Sequence, residues 1–319
     1  MTRLPRIAEI REGAEGWGFF LCTRKETRPT RSGVPLISLG LQDASGEIGA
    51  VIFDQGSSGL DDFEPGEFVK VQARGNRHHQ RLGLVIEAIR RVNPVQDHLD
   101  GFREEDCIPC APRALDDMWG ELQRRLEGVE NHWIRQLLTD VVERNTDRLR
   151  TWPAAVTVHH AYRGGLLEHI LALASLGDAF AALYGVERDL LLAGAILHDI
   201  GKLEELEYDG ATTYSRDGNL LGHIAIGVTM VRAAVERLEG FPADVRARIE
   251  HMIVSHHGSR EHGSPVEPMT EEAFILSAID DLDARLHQVR HHLHDGVSEG
   301  EFTPYHPRLK RVLFRRGDR

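Results

Sequence analysis

Five separate segments in the second half of the chain carry side chains that can bind a metal ion. Each of these side chains lies within or at the end of an apolar stretch, as in AILHDIGK at residues 195–202. Buried without partners they would be strongly destabilising, so we expect them to pair with one another or to share a cation. Imidazole and carboxylate ligands together suit Mn, Fe, Co, Zn or Ni. The candidate metal ligands are His169, His198, Asp199, His223, His256 and Asp280, with His257 as the alternative to His256.

The set has the ligand types of a centre with more than one metal ion. A carboxylate such as Asp199 can bridge two ions, which neighbouring histidines then complete. Taken singly, His169 would be a hydrogen-bonded core residue, and the His198-Asp199 pair would be an ordinary helix end. Only the whole set predicts a metal centre. GxSxG, GxxxxGK[ST] and GxGxxG motifs are missing from the strand-to-helix junctions, so covalent serine catalysis and P-loop or dinucleotide binding lack support.

Length and composition limit the classes of protein to which the chain can belong. Its 319 residues, 41% of them apolar, are enough for roughly two domains. A signal-peptide pattern and a run of eighteen apolar residues are both missing, so we expect a cytoplasmic protein that does not enter a membrane. The net charge of −12 argues against a uniformly basic surface for nucleic acid. Cys107 and Cys110 form a CxxC pair without two further cysteines at similar spacing, which favours a linker over a zinc site.

Residues 1–95 have the alternation of a small β-barrel. Short segments in which β-branched and aromatic residues recur at period two are separated by turn signals such as Ser45-Gly46 and Gly75-Asn76. Closing such strands into a barrel is the most economical way to remove sheet edges. We therefore expect an OB-like barrel. The predicted strands contain WGFFLCTRKETR, PLISLGLQDA, GEIGAVIFD, GEFVKVQARG and LGLVIEAIRRV.

The remainder of the chain is predicted to be a linker followed by a helical domain. Residues 96–113 contain Pro, Asp and Cys and lack periodicity, which is typical of a linker. From 114 to 319 the period becomes helical, and several segments are apolar on nearly every side, as in the central helices of a bundle. The stretch YDGATTYSRDGNLLGH, residues 208–223, predicts a small hairpin with turns at two Asp-Gly pairs. The predicted fold is multidomain, an OB-like barrel followed by an all-α bundle with a small hairpin.

The order of the candidate ligands resembles the HD phosphohydrolase superfamily, whose helical domains hold one or two divalent metal ions. The resemblance covers residues 152–294, and the HDIGK form with further histidines is typical of the two-metal members. The ligands that it implies are His169, His198, Asp199 and Asp280 for the first ion and Asp199, His223 and His256 for the second.

Barrel and motifs together are similar, over nearly the whole chain, to the YhaM-type 3′→5′ exoribonucleases. The motifs are HHAYRGGLLEH, LHDIGK, LLGHI, SHHG and IDDLDA. The resemblance implies metal-dependent removal of nucleotides from the 3′ end of single-stranded RNA, and in some cases DNA, releasing nucleoside 5′-monophosphates. Mn²⁺ is the expected ion, with Mg²⁺, Fe²⁺, Co²⁺, Zn²⁺ or Ni²⁺ as alternatives.

The same resemblance assigns roles at the reacting phosphate. Asp199 and Lys202 would be catalytic, with Lys202 at the phosphate, and His160 and Arg163 would meet the substrate. A solvated cation at a helix end is the alternative for Lys202. A polar group at a helix start is the alternative for His160.

Basic and aromatic residues of the barrel are the candidates for holding a nucleic-acid strand. The tract TRKETRPTR, residues 23–31, is loop-like and either lines a strand path or is a solvated loop. Period two places Trp17 and Phe19 on one face and Phe20 on the other, so about half of the aromatic candidates belong to the core. The arginines are the stronger candidates. They are Arg74 and Arg77, which we predict to bind substrate, and Arg24, Arg28, Arg31 and Arg81, with Lys25 and Phe53 as further candidates.

Two other functions are consistent with the same residues. An HD phosphohydrolase could act on a small nucleotide or a cyclic dinucleotide, with the barrel as a regulatory module or an oligomer contact. A nucleic-acid-binding scaffold could use a metal site that is only structural, but such a site does not require an open two-metal geometry. The expected partners are single-stranded RNA or DNA, and a homo-oligomer is compatible with the sequence.

Overall fold

The structure is a computed structural model whose two compact units separate in the sequence after Cys110. It describes residues 2–29, 35–53, 63–78, 81–156, 160–208, 212–295 and 300–315. The predictions that lie outside the described residues concern Arg31 and the side chains of Arg28, Phe53 and Arg81.

The first unit is built on a closed β-barrel. Within the described residues the strand order is β1-β2-β3-β5-β4, with β3 and β5 parallel and the other pairs antiparallel. β1 pairs with both β2 and β4, which closes the barrel and leaves β1 without a free edge. This topology confirms the predicted OB-like barrel. The strands are β1 Glu15–Pro29, β2 Pro35–Asp43, β3 Gly46–Phe53, β4 Phe68–His78 and β5 Arg81–Arg91.

The alternation of β1 separates two apolar clusters. Phe20 is 2% exposed and packs inside the barrel, whereas Phe19, on the opposite face, packs with Phe102 and Cys107. The rings of Phe19 and Phe102 meet edge to face, with 5.3 Å between their centroids. Trp17 is half-buried against the same cluster. Phe19 and Phe20 are therefore not available to stack on bases, because both are covered by the chain itself.

Residues 96–110, part of the predicted linker, pack within the barrel unit. Phe102 and Cys107 are buried, and the backbone N–H of Ala44 donates to the carbonyl oxygen of Asp106 at 2.9 Å. Removing the Phe102 ring from water stabilises this packing even though the segment has no periodic pattern. The first unit therefore extends past residue 95.

Two turn and loop predictions in the barrel are wrong, because backbone pairing continues through the polar residues. Residues 23–29 of the basic tract continue β1 and pair with β2, which confirms the predicted strand WGFFLCTRKETR and makes the loop-like interpretation of these residues wrong. Gly75 and Asn76 lie inside β4, where they pair with Leu84 and Gly83 of β5. Exposed polar residues on one face of a strand do not interrupt its ladder of hydrogen bonds.

The short helix α1, Pro94–Asp97, is fixed to the barrel by a buried carboxylate. Asp97 is fully buried and accepts hydrogen bonds from both terminal nitrogens of Arg90 at 2.7 Å and from Nζ of Lys70 at 3.2 Å. The hydrogen bonds from Arg90 hold the pKa of Asp97 well below its ordinary value, although burial acts in the opposite direction. The carboxylate therefore stays ionised and paired.

The second unit is helical around one apolar core. In α6, every residue from Leu190 to Leu197 is buried, which explains a sequence that is apolar on all sides. α5 packs against it and buries Leu166, Leu167 and Ile170 in the same cluster. The helices are α2 Leu115–Glu127, α3 His132–Arg144, α4 Thr146–Thr151, α5 Gly165–Tyr184, α6 Arg188–Leu197, α7 Lys202–Glu205, α8 Arg216–Glu236, α9 Ala243–Ser255 and α10 Glu271–Asp295.

Length and composition alone would allow α5 and α8 to cross a membrane. In α5, 50% of the apolar stretch that could span a membrane is buried inside the unit. Core helices of proteins outside membranes have the same length and composition, so the finding does not by itself indicate a membrane protein.

A two-stranded sheet lies between α7 and α8, where the hairpin was predicted. Its strands are β6 Leu206–Tyr208 and β7 Thr212–Tyr214. The second Asp-Gly pair is not a turn, because Gly218 belongs to the first turn of α8. Oγ of Ser215 accepts the N–H of Gly218 at 2.8 Å and caps this helix.

Candidate metal centre

The first donor set comes from α5, the end of α6 and α10. His169, His198 and Asp280 each place one ligand atom within 4.8 Å of the other two. Nε2 of His169 lies 3.2 Å from Nε2 of His198 and 3.2 Å from Oδ1 of Asp280. These separations match those between neighbouring ligands of an ion bound at about 2.1 Å. The fold thus brings together three residues that are far apart in the sequence.

The second donor set comes from α8 and the end of α9. His223, His256 and His257 also place ligand atoms within 4.8 Å of one another. Nε2 of His256 lies 3.7 Å from Oδ1 of Asp199, and the residue is 1% exposed. His257 is half-buried and lines the adjoining cleft. The contact with Asp199 favours His256 as the ligand, and the choice between the two stays a prediction.

Asp199 lies between the two sets and directs one oxygen to each. Its Oδ2 lies 3.3 Å from Nε2 of His198 and 3.9 Å from Nε2 of His169. Its Oδ1 lies 3.5 Å from Nε2 of His223 and 3.7 Å from Nε2 of His256. A carboxylate in this position can bind one ion through each oxygen, as a bridging ligand must.

Two carboxylates behind the centre orient the histidines of α5 and α8. Nδ1 of His169 donates to Asp283 at 2.8 Å, and Nδ1 of His223 donates to Glu205 at 3.1 Å. A hydrogen bond of this kind fixes the tautomer that leaves Nε2 free for a metal. The sequence did not single out these two residues, because each resembles a solvated charge on a helix. The available signal was that Asp283 lies one helical turn after Asp280.

Backbone carbonyls orient the other two histidines. Nδ1 of His198 donates to the carbonyl oxygen of Ala195 at 3.1 Å, and Nδ1 of His256 donates to that of Ile253 at 2.7 Å. In both cases the Nε2 atom is left without a hydrogen and points toward Asp199. All four rings therefore present the same nitrogen to the centre.

Four buried atoms of the centre have no hydrogen-bond partner among the residues that the structure describes. They are Oδ1 of Asp199, Nε2 of His223, Nε2 of His256 and Nδ1 of His257. A buried polar atom left unpaired costs about 1–3 kcal/mol, so a single group that satisfies several of them would stabilise the fold. Carboxylate oxygen and imidazole nitrogen are the atoms that divalent transition metals bind. The residues present therefore fit metal ions.

The charges of the centre favour bound cations. Burial would raise the pKa of Asp199, but the nearby Lys202 holds it well below its ordinary value. Burial would lower the pKa of His169, but its hydrogen bond with Asp280 raises it to about 9. The negative charge that favours a proton on this ring favours a divalent cation in the same place. Burial lowers the pKa of His256 to about 3, so the ring is neutral and can act as a ligand.

Two glycines allow the backbone to bring the two sets together. Gly201 lies so close to α8 that a Cβ on it would be 2.0 Å from the carbonyl oxygen of His223. Gly222 has φ 72° and ψ 157°, a conformation essentially restricted to glycine, and it kinks α8 immediately before His223. The glycines of HDIGK and LLGHI are therefore required by packing and by backbone conformation.

Comparison with known proteins agrees with this geometry. Residues 166–285, which contain every ligand of both sets, match the HD domain family. The chain is 36% identical over 286 residues to the 3′-5′ exoribonuclease YhaM of Bacillus subtilis (strain 168), and the match covers 89% of each chain. The chain belongs to the YhaM exoribonuclease family. This confirms the family that the sequence motifs predicted.

Further known proteins are similar to all or to part of this chain. The 3′-5′ exoribonuclease YhaM of Bacillus licheniformis is 35% identical over 92% of each chain. That of Oceanobacillus iheyensis is 33% identical over 91% of this chain and 90% of its own. Among solved structures, the second OB-fold domain of replication protein A from Methanococcus maripaludis covers 28% of this chain and 94% of its own, with 21% identity and a TM-score of 0.23.

An open cleft gives access to the centre of this YhaM family member. Its volume is about 240 Å³, and Asp199, His256 and Asp280 contribute to its lining. Lys202 lies in the same cleft, with Nζ 2.5 Å from Oδ2 of Asp199 and 13% of its side chain exposed. Burial would lower the pKa of Lys202, but Asp199 raises it, so the ammonium stays charged. Lys202 is therefore at the centre and is not a solvated cation at a helix end.

His160, which was predicted to meet the substrate, is 5% exposed and lies behind a ligand. Its Nδ1 lies 2.9 Å from Oε2 of Glu168, and its Nε2 lies 3.1 Å from Oδ2 of Asp283. Because Asp283 also orients His169, these contacts make His160 a support for that ligand. Arg163 is half-buried, and its role at the substrate stays a prediction.

The predicted substrate-binding arginines of the barrel lie on β4. Arg74 and Arg77 are both exposed, and Nε of Arg77 lies 3.8 Å from Oε2 of Glu12. Arg24 on β1 is also exposed, whereas Lys25 is half-buried and donates to the carbonyl oxygen of Phe63 at 2.8 Å. Exposure is what a contact with a strand requires, and the contact itself stays a prediction for these residues.

Proposed function

We propose that this protein is a metal-dependent 3′-5′ exoribonuclease that hydrolyses single-stranded RNA and releases nucleoside 5′-monophosphates. The observation that carries the proposal is the pair of donor sets that share Asp199 beside an open cleft. The 36% identity to a curated exoribonuclease supports it over nearly the whole chain. A carboxylate shared by two sets of ligands is the arrangement used for hydrolysis of phosphodiesters with two ions.

The residues around Asp199 would hold two divalent ions. Bound there, the ions would lower the pKa of the attacking water and neutralise the phosphate oxygens. Mn²⁺ is the ion that we expect, and Mg²⁺, Fe²⁺, Co²⁺, Zn²⁺ or Ni²⁺ would suit the same donor atoms. The ligands would be His169, His198, Asp199 and Asp280 for one ion and Asp199, His223 and His256 for the other, with His257 as the alternative to His256.

Lys202 would act on the substrate directly. Its ammonium is held at the centre by Asp199 and faces the cleft from which a phosphate enters. There it would donate a hydrogen bond to a phosphate oxygen and stabilise the negative charge that develops in the transition state. Asp199 and Lys202 thus have separate roles, one as the shared ligand and one as the charged donor.

The two units would have separate roles on the same strand. We propose that residues 1–95 bind single-stranded nucleic acid and that residues 114–319 carry out hydrolysis, as the two sequence patterns predicted. Arg74 and Arg77 would contact the backbone of the strand. A cytoplasmic location belongs to the same proposal, which is compatible with single-stranded DNA as a second substrate and with a homo-oligomer.

The test is the length of the products from a labelled strand. A single-stranded RNA labelled at its 5′ end is incubated with the protein and Mn²⁺, and we expect products that shorten progressively from the 3′ end. Asp199→Ala should abolish the shortening while the helical circular dichroism signal stays, and Asp244→Ala, which changes an exposed carboxylate of α9, should leave it unchanged. Intact RNA together with hydrolysis of a mononucleotide or a cyclic dinucleotide would contradict the proposal.

A further inference from the structure

The cleft beside the metal centre contains a second permanent cation besides Lys202. Arg285, on α10, lines the same cavity as Asp199, Lys202 and Asp280. Asp281, Ala284 and His262 complete this side of the lining. No role at the substrate was predicted for Arg285 from the sequence, where it resembles an ordinary solvated charge on a helix.

The guanidinium of Arg285 is oriented by one hydrogen bond within the described part of the chain. Its Nε donates to Oδ1 of Asp281 at 2.7 Å, and 57% of each side chain is exposed. For its two terminal nitrogens, the described part of the chain offers no hydrogen-bond partner. Two parallel N–H groups in a planar fork match two oxygens of a phosphate. Asp281 therefore orients a fork that remains open to an anion.

The position of Arg285 along α10 separates it from the reacting phosphate. It follows Asp280 by five residues, which is about 7.5 Å along the helix axis. A phosphate bound at the metal centre would be contacted by Lys202, because the Lys202 ammonium lies against Asp199. The backbone of Arg285 is therefore displaced along α10 within the lining of the same cleft, in the position that we assign to the next phosphate of the strand.

We propose that Arg285 binds the phosphate one nucleotide upstream of the phosphate that is cleaved. The inference rests on the proposed function, because it assumes a strand that enters the cleft with its 3′ end. The contact makes the enzyme favour a substrate with two or more phosphodiesters over one with a single phosphodiester. Arg285 is thus a specificity-determining residue for polynucleotides.

The first test compares two short substrates. ApA has one phosphodiester, which must occupy the metal centre, whereas ApApA has a second one for Arg285. We expect Arg285→Ala to raise KM for ApApA about tenfold, the effect of one lost charge-assisted hydrogen bond, and to leave kcat/KM for ApA unchanged. Arg285→Lys should recover part of the loss, because it keeps the charge but not the fork. Arg290→Ala, an exposed arginine on the same helix, is the matched control.

A second test measures binding without turnover. The wild type and Arg285→Ala are titrated with a single-stranded RNA whose 3′-terminal linkages are phosphorothioates, at several KCl concentrations in the presence of Mn²⁺. Loss of one phosphate contact should reduce the slope of log Kd against log[KCl] by about 0.7. An unchanged slope, equal losses on ApA and ApApA, or no loss on ApApA would each overturn the role of Arg285. A wild type that cuts neither substrate would contradict the proposed function, and the slope would then decide alone whether Arg285 contacts a phosphate.

Discussion

Four histidines of the metal centre are each oriented by an oxygen atom that accepts a hydrogen bond from Nδ1, and they are His169, His198, His223 and His256. His169 depends on a carboxylate, Asp283, at 2.8 Å, whereas His198 depends on a backbone carbonyl that substitution cannot remove. The sequence predicted that these side chains lie together, since five apolar segments each carry a group that must pair with the others or share a cation. It did not predict Asp283 or Glu205, because a carboxylate on a polar helix face looks solvated until the fold places an imidazole against it.

Removal of one orienting carboxylate should weaken metal binding without removing a ligand. Asp283→Ala leaves Nδ1 of His169 without its acceptor, so we expect the affinity for Mn²⁺ to fall by about 10- to 100-fold. Calorimetric titration with Mn²⁺ measures this change, and Asp244→Ala supplies the control with an exposed carboxylate. An unchanged affinity would show that Asp283 does not position the ligand.

At the scale of elements, α8 places His223 at the metal centre only because the helix is kinked. Gly222, at φ 72° and ψ 157°, produces the kink, and a side chain there is strained by about 1–3 kcal/mol. We expect Gly222→Ala to shift His223, to lower Mn²⁺ affinity and to reduce the rate at least tenfold while helical circular dichroism persists. Gly185→Ala is the matched control, because Gly185 has the same φ of 72° at the end of α5, away from the centre. Equal effects of both substitutions would argue against a special role for the kink.

The stability of the barrel unit depends on the contact between α1 and β5. Asp97→Ala removes the buried partner of Arg90, and we expect the free energy of unfolding to fall by about 2–3 kcal/mol. Asp100→Ala, which removes a largely exposed partner of Lys70, should cost less than about 1 kcal/mol. Thermal unfolding of the full chain would measure both, and similar losses would contradict the importance of burial.

The same contact predicts a dependence of stability on pH. Because Arg90 lowers the pKa of Asp97 in the folded state, the stabilisation is complete above the unfolded-state pKa of about 3.9 and is lost as the pH falls toward the lower folded value. The melting temperature of the wild type should therefore fall more steeply below pH 4 than that of Asp97→Asn. Parallel pH profiles for the two proteins would contradict this account.

At the scale of the whole molecule, charge is unevenly distributed along the sequence. Residues 1–100 carry 13 Lys and Arg against 14 Asp and Glu, which leaves 25 against 36 for the remainder. A polyanion would therefore meet the barrel more easily than the helical unit, where bound cations and Lys202 must offset the acidic residues.

Exposed arginines of the barrel should contribute to the affinity for long strands. Arg24 and Arg74 are exposed, and the described residues include no ion-pair partner for either. The double variant Arg24→Ala/Arg74→Ala should reduce the slope of log Kd against log[KCl] by about 1.4, the effect of two lost phosphate contacts. Cleavage of ApA should be unaffected, since its single phosphodiester must occupy the metal centre and leaves no further phosphate for the barrel. Equal losses with long RNA and with ApA would contradict a strand-binding barrel.

The period of apolar residues predicted the individual strands and helices more reliably than it predicted how they pack. Period two placed Phe19 and Phe20 on opposite faces of β1, as the structure shows. It could not reveal that the Phe19 face is covered, because Phe102 comes from a segment without any period. The helical period likewise predicted α5 and α6, while the kink at Gly222 and the close approach of Gly201 to His223 exist only in the folded chain.

The central claim is that two cations bind on either side of the Asp199 carboxylate. The most direct test is the number of Mn²⁺ ions bound per chain, measured by calorimetric titration and metal analysis of the full protein. We predict two ions for the wild type and the loss of both in Asp199→Ala, with the helical signal unchanged. A wild type that binds fewer than two ions, or an Asp199→Ala variant that still binds two, would contradict the claim.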